Sequence, residues 1–244
     1  MVEILYSNVY NNSRRDKKSR ETCSFFTIIL SNTLQWGWYI IKNQLDDIDI
    51  SLNKFEKELK YIETPDATSR AELTERNGFP YINETLMELL IENQKVPSPF
   101  DVFVRYLHNN EGDYNVKEAL GRGFKRQLRD RVYRAYYSLI REIHFAMMLS
   151  DLDLKVVYST EIDLDKGIDV LIDNQGITYG LHLFLDSKRS IQHRQRKKRS
   201  EYDVDVSIEV PFTSGRAVGG FDLYTTEYIV DVLEEIIKYH GKVA

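Results

Sequence analysis

Residues 167–190, "GIDVLIDNQGITYGLHLFLDSKRS", determine the fold prediction. Two apolar runs flank the tripeptide "NQG" at 174–176, which is a turn signal, so the stretch predicts a β-hairpin. The first arm carries Asp169, and the second arm ends with Asp186 and Lys188. Side chains alternate along a strand, so Asp186 and Lys188 are predicted to lie on the same face. A twist or bend would then bring both beside Asp169 at one end of the sheet.

Helix and strand signals continue on both sides of this hairpin. The sequence predicts a long helix at 122–150, strands at 154–162, 167–173, 177–186 and 203–212, a helix within 187–200, and a closing amphipathic helix from 226. Helices before and after a small mixed sheet predict an α/β (α+β) layer fold. Clustered Asn, Gly and Asp residues at 109–114 predict a boundary between a helical N-terminal region, 1–110, and a core, 111–244.

Composition indicates an ordinary globular protein of the cytoplasm. The 244 residues contain a single cysteine, Cys23, which excludes an internal disulfide framework and a cysteine-rich zinc site. No signal peptide is visible at the start. The most apolar window, 24–41, is interrupted by Asn32 and Gln35, so it predicts a buried helix and no membrane association.

Charge is distributed unevenly along the chain. The net charge is −5, yet residues 188–199 contain seven Lys or Arg and no acid, and residues 122–134 contain Asp130 as their only acid. Locally basic surfaces attract phosphate because salt screens distant charges. The predicted nucleic-acid-binding residues are Arg189, Arg194, Arg196, Lys197, Lys198 and Arg199 in the first run and Arg122, Lys125 and Arg126 in the second. The alternative is a solvated face for the first run and helix capping for the second.

Asp169 and Asp186 are the candidate metal ligands. Two converging carboxylates suit Mg²⁺, which also keeps waters and takes phosphate oxygens, and Mn²⁺ is expected to substitute. Lys188 would orient or deprotonate the attacking water. Two alternatives remain open: the acids form strand-end salt bridges, or a second register pairs Asp173 or Asp165 with His182.

The string Asp169, sixteen residues, then Asp186-Ser187-Lys188 resembles the PD-(D/E)XK nuclease superfamily, which includes many type II restriction endonucleases. The order of elements from 122 to about 212 resembles that family's α-β-β-β-α-β core. By this resemblance Asp169 is the lone Asp of the motif, Asp186 the acidic residue and Lys188 the lysine. The chain departs from the motif in having Ile168 instead of Pro, and Asp instead of the commoner Glu.

The resemblance also implies a further ligand and a function. Family members often add a Glu from the preceding helix, and Glu142 fits that place, with a helix-surface pair to Arg141 or Arg134 as its alternative. The implied function is a Mg²⁺-dependent endonuclease that cuts double-stranded DNA as a homodimer, with residues 1–110 serving dimerisation, DNA recognition or both. The alternatives are a non-catalytic nucleic-acid-binding or regulatory subunit of a defence or mobile-element complex, and a nuclease for RNA or branched DNA.

Overall fold

The structure is a computed structural model that describes residues 43–67, 78–152, 154–187 and 204–243. All of these belong to one compact unit within residues 43–244. The division of the chain near residue 110 stays a prediction.

Seven α-helices lie in the described ranges, after a short 3-10 helix at Gln44–Asp47. Their bounds are α1 Leu52–Leu59, α2 Asn83–Asn93, α3 Pro99–Asn109, α4 Tyr114–Gly121, α5 Lys125–Ser150, α6 Thr160–Lys166 and α7 Thr226–Val243.

Helix α5 is the long helix that the sequence predicts. It begins at Lys125, after Gly123, whose φ of 76° is left-handed and interrupts the helical path. Leu128, Val132 and Tyr136 are among the buried residues that recur along one stripe of this helix. Helix α5 packs against α1, α2, α3 and α4 and also against the strands β1 and β6, defined below. It is therefore the central support of the fold.

A four-stranded sheet lies beside α5. The strands are β1 Lys155–Val157, β2 Val170–Asn174, β3 Ile177–Leu185 and β4 Val206–Phe212, and a separate two-stranded sheet contains β5 Arg216–Val218 and β6 Phe221–Leu223. The order in the larger sheet is β1-β2-β3-β4, antiparallel from β1 to β3 and parallel between β3 and β4. Helix α7 packs on β4. The mixed α/β class predicted from the sequence is confirmed.

The predicted hairpin is present and consists of β2 and β3. Val170 pairs with Leu181, and Asn174 pairs with Ile177. The two-residue turn has positive φ at Gln175 (56°) and Gly176 (81°), as the twist of a tight hairpin requires. The predicted helix within 187–200 lies outside the described residues, apart from Ser187.

The predicted strand at 154–162 is wrong in its second half. Only Lys155–Val157 forms a strand, and Thr160–Lys166 forms helix α6. Gly167, with a φ of 64°, ends that helix as a left-handed cap. The sequence analysis places Gly167 at the start of a strand, whereas in the structure it ends a helix.

No helix in the described ranges is long and apolar enough to cross a membrane. The apolar window 24–41 lies outside those ranges.

Candidate active site

Asp169 lies immediately before β2 and is hydrogen-bonded to β3 through both its backbone and its side chain. Its backbone N–H donates to the carbonyl of Leu181 at 3.0 Å, and its Oδ2 accepts a hydrogen bond from the N–H of Leu183 at 2.5 Å. The carboxylate thus supplies an acceptor to β3 where the backbone pairing of β2 ends. This bond orients the carboxylate and also gives it a structural role.

Glu142 lies on α5, and its neighbours compensate the charge of its carboxylate only in part. Burial raises its pKa to about 7, and the charge of Asp163 adds to the rise. Ser138 Oγ donates to Glu142 Oε1 at 3.0 Å and lowers the pKa in part. A carboxyl group held in this way has a strong electrostatic preference for a nearby cation.

The charges of Glu142 and Asp169 both act on two buried tyrosines, Tyr158 and Tyr224. Burial raises the pKa of Tyr158 well above its ordinary value, and the charges of Glu142, Asp163 and Asp169 raise it further. The pKa of Tyr224 is raised by burial and then by Glu142, with a smaller contribution from Asp169. Glu142 and Asp169, which are 27 positions apart in the printed sequence, are therefore brought into one neighbourhood by α5 and β2.

Asp163 is a member of this neighbourhood that the sequence reasoning missed. Asn83, which is 4% exposed, donates from Nδ2 to Asp163 Oδ2 at 2.8 Å and orients the carboxylate. Asp163 lies in the first turn of α6, where acids are favourable. The available signal was the helix-ending Gly167, which would have placed residues 160–166 on a helix beside the sheet.

Asp186 lies at the exposed end of β3. Its backbone N–H donates to the carbonyl of Phe212 at 3.0 Å, so it is the first residue beyond the β3–β4 pairing. Lys188 lies outside the described residues. The same holds for the predicted nucleic-acid-binding residues Arg189, Arg194, Arg196, Lys197, Lys198 and Arg199.

The donor set is compatible with Mg²⁺ but is not a complete ligand group. Within the described ranges no three His, Cys, Asp or Glu side chains are grouped so that they could hold a metal ion. Joint ligation by Asp169, Asp186 and Glu142 therefore stays a prediction. Two hard carboxylates, with waters and phosphate oxygens filling the remaining positions, satisfy what Mg²⁺ ordinarily takes from a protein. Glu142 and Asp169 are the predicted pair.

The second basic run is described at its N-terminal end. Arg122 pairs with Glu118 at 2.6 Å, and its side chain is still 54% exposed. Lys125 and Arg126 are exposed on the first turn of α5. The space around Gly123 is open, because an added Cβ there would meet nothing within 4 Å. These cations form an accessible surface at the α4–α5 junction.

The second register is not formed by Asp173. Asp173 lies opposite Thr178, and its Oδ2 accepts a hydrogen bond from Lys155 Nζ at 2.6 Å. His182 lies opposite Glu209 of β4. Asp165 belongs to helix α6 and not to a strand that pairs with β3.

Arg141 is the second functional candidate that the sequence reasoning passed over. It was considered only as a surface partner of Glu142. Its guanidinium instead lies over the ring of Phe212, 4.3 Å from the centroid, and its Nε donates to the carbonyl of Asp222 at 2.9 Å. No sequence signal indicates this arrangement, because it depends on where β4 and β6 end relative to α5.

The chain matches no family model, no curated protein and no solved structure.

Proposed function

We propose that this protein is a Mg²⁺-dependent endonuclease that hydrolyses phosphodiester bonds in double-stranded DNA, in the manner of type II restriction endonucleases. The observation that carries the proposal is that the charges of Glu142 and Asp169 both raise the pKa of the buried Tyr158, which indicates that the two carboxylates lie within electrostatic range of the same side chain. A helix and the first arm of a hairpin contribute one carboxylate each, and the second arm ends at Asp186.

Each residue of the site has a proposed role. Asp169 and Glu142 would hold the metal ion, and Asp186 would add a ligand from the end of β3. Bound Mg²⁺ would lower the pKa of a water and neutralise charge that develops on the phosphate. Lys188, two positions after Asp186, would orient that water.

The environment of Glu142 supports a functional reading of the site. A purely structural carboxylate is normally paired, because an ionised group in a buried position is costly. Burial and then the charge of Asp163 raise the pKa of Glu142 to about 7, and the hydrogen bond from Ser138 and the charge of Arg141 offset only part of the rise. Strongly perturbed acids of this kind are concentrated at functional sites.

The basic residues near the predicted site support DNA as the substrate. Lys125 and Arg126 are exposed on α5, the helix that carries Glu142. The run 188–199 follows Asp186 directly in the sequence and adds seven cations. Contacts from such cations to phosphates position a duplex without reading its sequence. Cutting both strands calls for two sites, and so the proposed active form is a homodimer.

The proposal is tested by cleavage of long, mixed-sequence duplex DNA with Mg²⁺. Wild type is compared with Asp186→Ala and Lys188→Ala, and Asp173→Ala is the matched control because it removes a hairpin carboxylate outside the proposed site. We expect discrete fragments from wild type and the control, and none from the two site variants or in the presence of EDTA. A smear of fragments would instead indicate a nonspecific or structure-selective nuclease.

A non-catalytic binding module is the second candidate. The observation in its favour is that no three acids or histidines in the described ranges are grouped to hold a metal. Retained DNA binding in all four proteins, with no cutting of DNA or RNA under Mg²⁺ or Mn²⁺, would establish this candidate. Cutting of RNA alone would change the proposed substrate from DNA to RNA and leave the proposed roles of the residues unchanged.

A further inference from the structure

We propose that Arg141 binds a non-bridging oxygen of the scissile phosphodiester and holds the phosphate against the Glu142–Asp169 carboxylates. The inference rests on the proposed function for the identity of the phosphate as a scissile one. It adds a cationic residue to a site whose sequence motif supplies two acids and a lysine, with Glu142 added from the helix.

Two contacts from different elements hold the guanidinium in place. It lies over the ring of Phe212 at 4.3 Å, and its Nε donates to the carbonyl of Asp222 at 2.9 Å. The first contact comes from the end of β4 and the second from β6, while Arg141 itself lies on α5. An arginine fixed at its ring-stacking face and at Nε has lost most of its rotamer freedom before any ligand binds. This is preorganisation of the kind a binding site requires.

The two terminal amino groups of Arg141 remain uncommitted. Within the described part of the chain, Arg141 forms no ion pair, and its hydrogen bond to Asp222 is the only one it makes. Burial lowers the pKa of this guanidinium, and the charges of Tyr224, Glu142 and Asp222 offset only part of that effect. Its sequence neighbour Glu142 takes a hydrogen bond from Ser138 and, within the described residues, none from Arg141. An anionic ligand would complete the environment.

Arg141 also lies near the end of β4 that is bonded to Asp186. The Phe212 carbonyl accepts the N–H of Asp186, so the ring under the guanidinium belongs to the residue bonded to Asp186. On the other side, the hydroxyl of Tyr224 is influenced by Glu142, Arg141 and Asp169 together. We therefore expect a ligand on these amino groups to lie near Asp186 and within electrostatic range of Glu142 and Asp169.

The chemistry of the free groups selects a phosphate. Two parallel N–H donors on a planar guanidinium match two oxygens of a tetrahedral phosphate, and such charge-assisted pairs are short and directional. They also match charge that grows on those oxygens in the transition state. Lysine, as a point charge, cannot reproduce the fork.

Protection of the fold by inorganic phosphate tests the site without any cleavage. Thermal unfolding is followed in EDTA with increasing phosphate, at ionic strength held constant with chloride, for wild type, Arg141→Met and Arg131→Met. Methionine keeps an apolar stem over the ring. Arg131 is the matched control, because it is another arginine of α5 that lies over an aromatic ring, Phe79, at 5.2 Å.

We expect phosphate to raise the Tm of wild type and Arg131→Met, and the apparent affinity for phosphate to fall at least tenfold in Arg141→Met. Equal protection of wild type and Arg141→Met, or no protection of wild type, would overturn the inference. If Arg141→Met does not fold, Arg141→Lys replaces it, with at least a threefold loss expected and unchanged affinity overturning the inference.

Cleavage then separates this inference from the proposed function. In Arg141→Ala we expect kcat on duplex DNA to fall about 100-fold, in the range for loss of one transition-state donor. DNA affinity in EDTA should change less than threefold, and added guanidinium should restore part of the rate. A wild type that cuts nothing would overturn the proposed function, while the phosphate titration would still decide whether Arg141 is an anion site. A rate loss without rescue and without loss of phosphate affinity would overturn the role of Arg141 alone.

Discussion

Two glutamates lie beside helix α5 in opposite electrostatic situations. Glu56 of α1 accepts a hydrogen bond from His144 of α5 at 2.9 Å and pairs with Arg216 of β5, so its pKa falls to about 2. Glu142 is two positions before His144 on α5, yet burial and the charge of Asp163 raise its pKa to about 7. Glu56 forms hydrogen bonds with a histidine and an arginine, whereas Glu142 accepts one from the Ser138 hydroxyl and is only partly compensated by the charge of Arg141.

The difference distinguishes the structural cluster around Glu56 from the proposed ligand-binding site around Glu142. The cluster of Glu56, His144 and Arg216 joins α1, α5 and β5, and its charges compensate one another internally. The charges of Glu142 and Asp169 both raise the pKa of Tyr158, and the charge of Arg141 lowers the pKa of Glu142 only in part. A stability penalty concentrated at one end of α5 is expected where function requires it.

The largest expected effect comes from Asp169→Asn. Metal-assisted hydrolysis should fall at least about 100-fold, because loss of a metal ligand removes several kcal/mol of transition-state stabilisation. The side-chain amide oxygen can still accept the hydrogen bond of Leu183, so the fold should lose less than about 1.5 kcal/mol. Initial cleavage rates and urea unfolding measure both. Unchanged cleavage would remove Asp169 from the site.

Glu56→Gln should act on stability and not on chemistry. We expect a loss of about 1 to 2 kcal/mol at pH 7, because the fully buried His144 loses its carboxylate hydrogen-bond partner. Urea unfolding measures the loss, and cleavage per folded molecule should match wild type. A large loss of cleavage in fully folded Glu56→Gln would erase the distinction between the two glutamates.

The pH dependence of the same variant sharpens the comparison. Glu56 has a pKa of about 2 in the folded protein against an ordinary value of 4.5, so its contribution is present above pH 4.5 and is lost as pH falls toward 2. Acid unfolding of wild type should therefore steepen across this window, and Glu56→Gln should lack that steepening. A variant with the same acid profile as wild type would contradict the role of the ion cluster.

Glu142→Gln should have the opposite sign in the absence of metal. Its folded pKa of about 7 exceeds the ordinary 4.5, so the folded state is favoured at low pH and loses stability as pH rises through 7. At pH 8 the neutral glutamine should raise the free energy of unfolding by about 1 to 3 kcal/mol. At pH 4 the variant and wild type should agree. Denaturant unfolding in EDTA at the two pH values measures this, and equal stability at pH 8 would contradict the assignment.

The smallest effect is expected for Lys125→Ala with Arg126→Ala. DNA affinity should weaken modestly and without sequence preference, and the slope of log affinity against log salt should fall by about 2, as for two lost phosphate contacts. Arg105→Ala is the control, because Arg105 is also exposed but pairs with Glu92 at 2.8 Å. An unchanged slope would place the duplex elsewhere.

Local patterns were sufficient for much of the fold. The hairpin turn at Gln175 and Gly176, the stripe of α5 and the alternation of β4 are set by short-range chemistry, and each is present in the structure. The second half of the predicted strand at 154–162 is a helix instead, because the capping role of Gly167 outweighed the β-branched residues before it.

The candidate site was accessible only in part. Glu142 could be suspected because it lies at the edge of an apolar stripe, and Asp169 because it enters a strand. Arg141 and Asp163 could not be placed, since their neighbours come from β4, β6 and α2, which are distant in sequence. Side-chain convergence of this kind is a property of tertiary packing and leaves no periodic trace.

Calorimetric titration with Mn²⁺ tests the central claim most directly, because it asks whether Glu142 and Asp169 share one metal ion. The four proteins are wild type, Glu142→Gln, Asp169→Asn and Glu56→Gln, in metal-free buffer at pH 8. We predict that wild type and Glu56→Gln bind one Mn²⁺ with equal affinity and that each of the other two loses at least tenfold. Binding of Mn²⁺ to Glu142→Gln and Asp169→Asn with wild-type affinity would contradict the account.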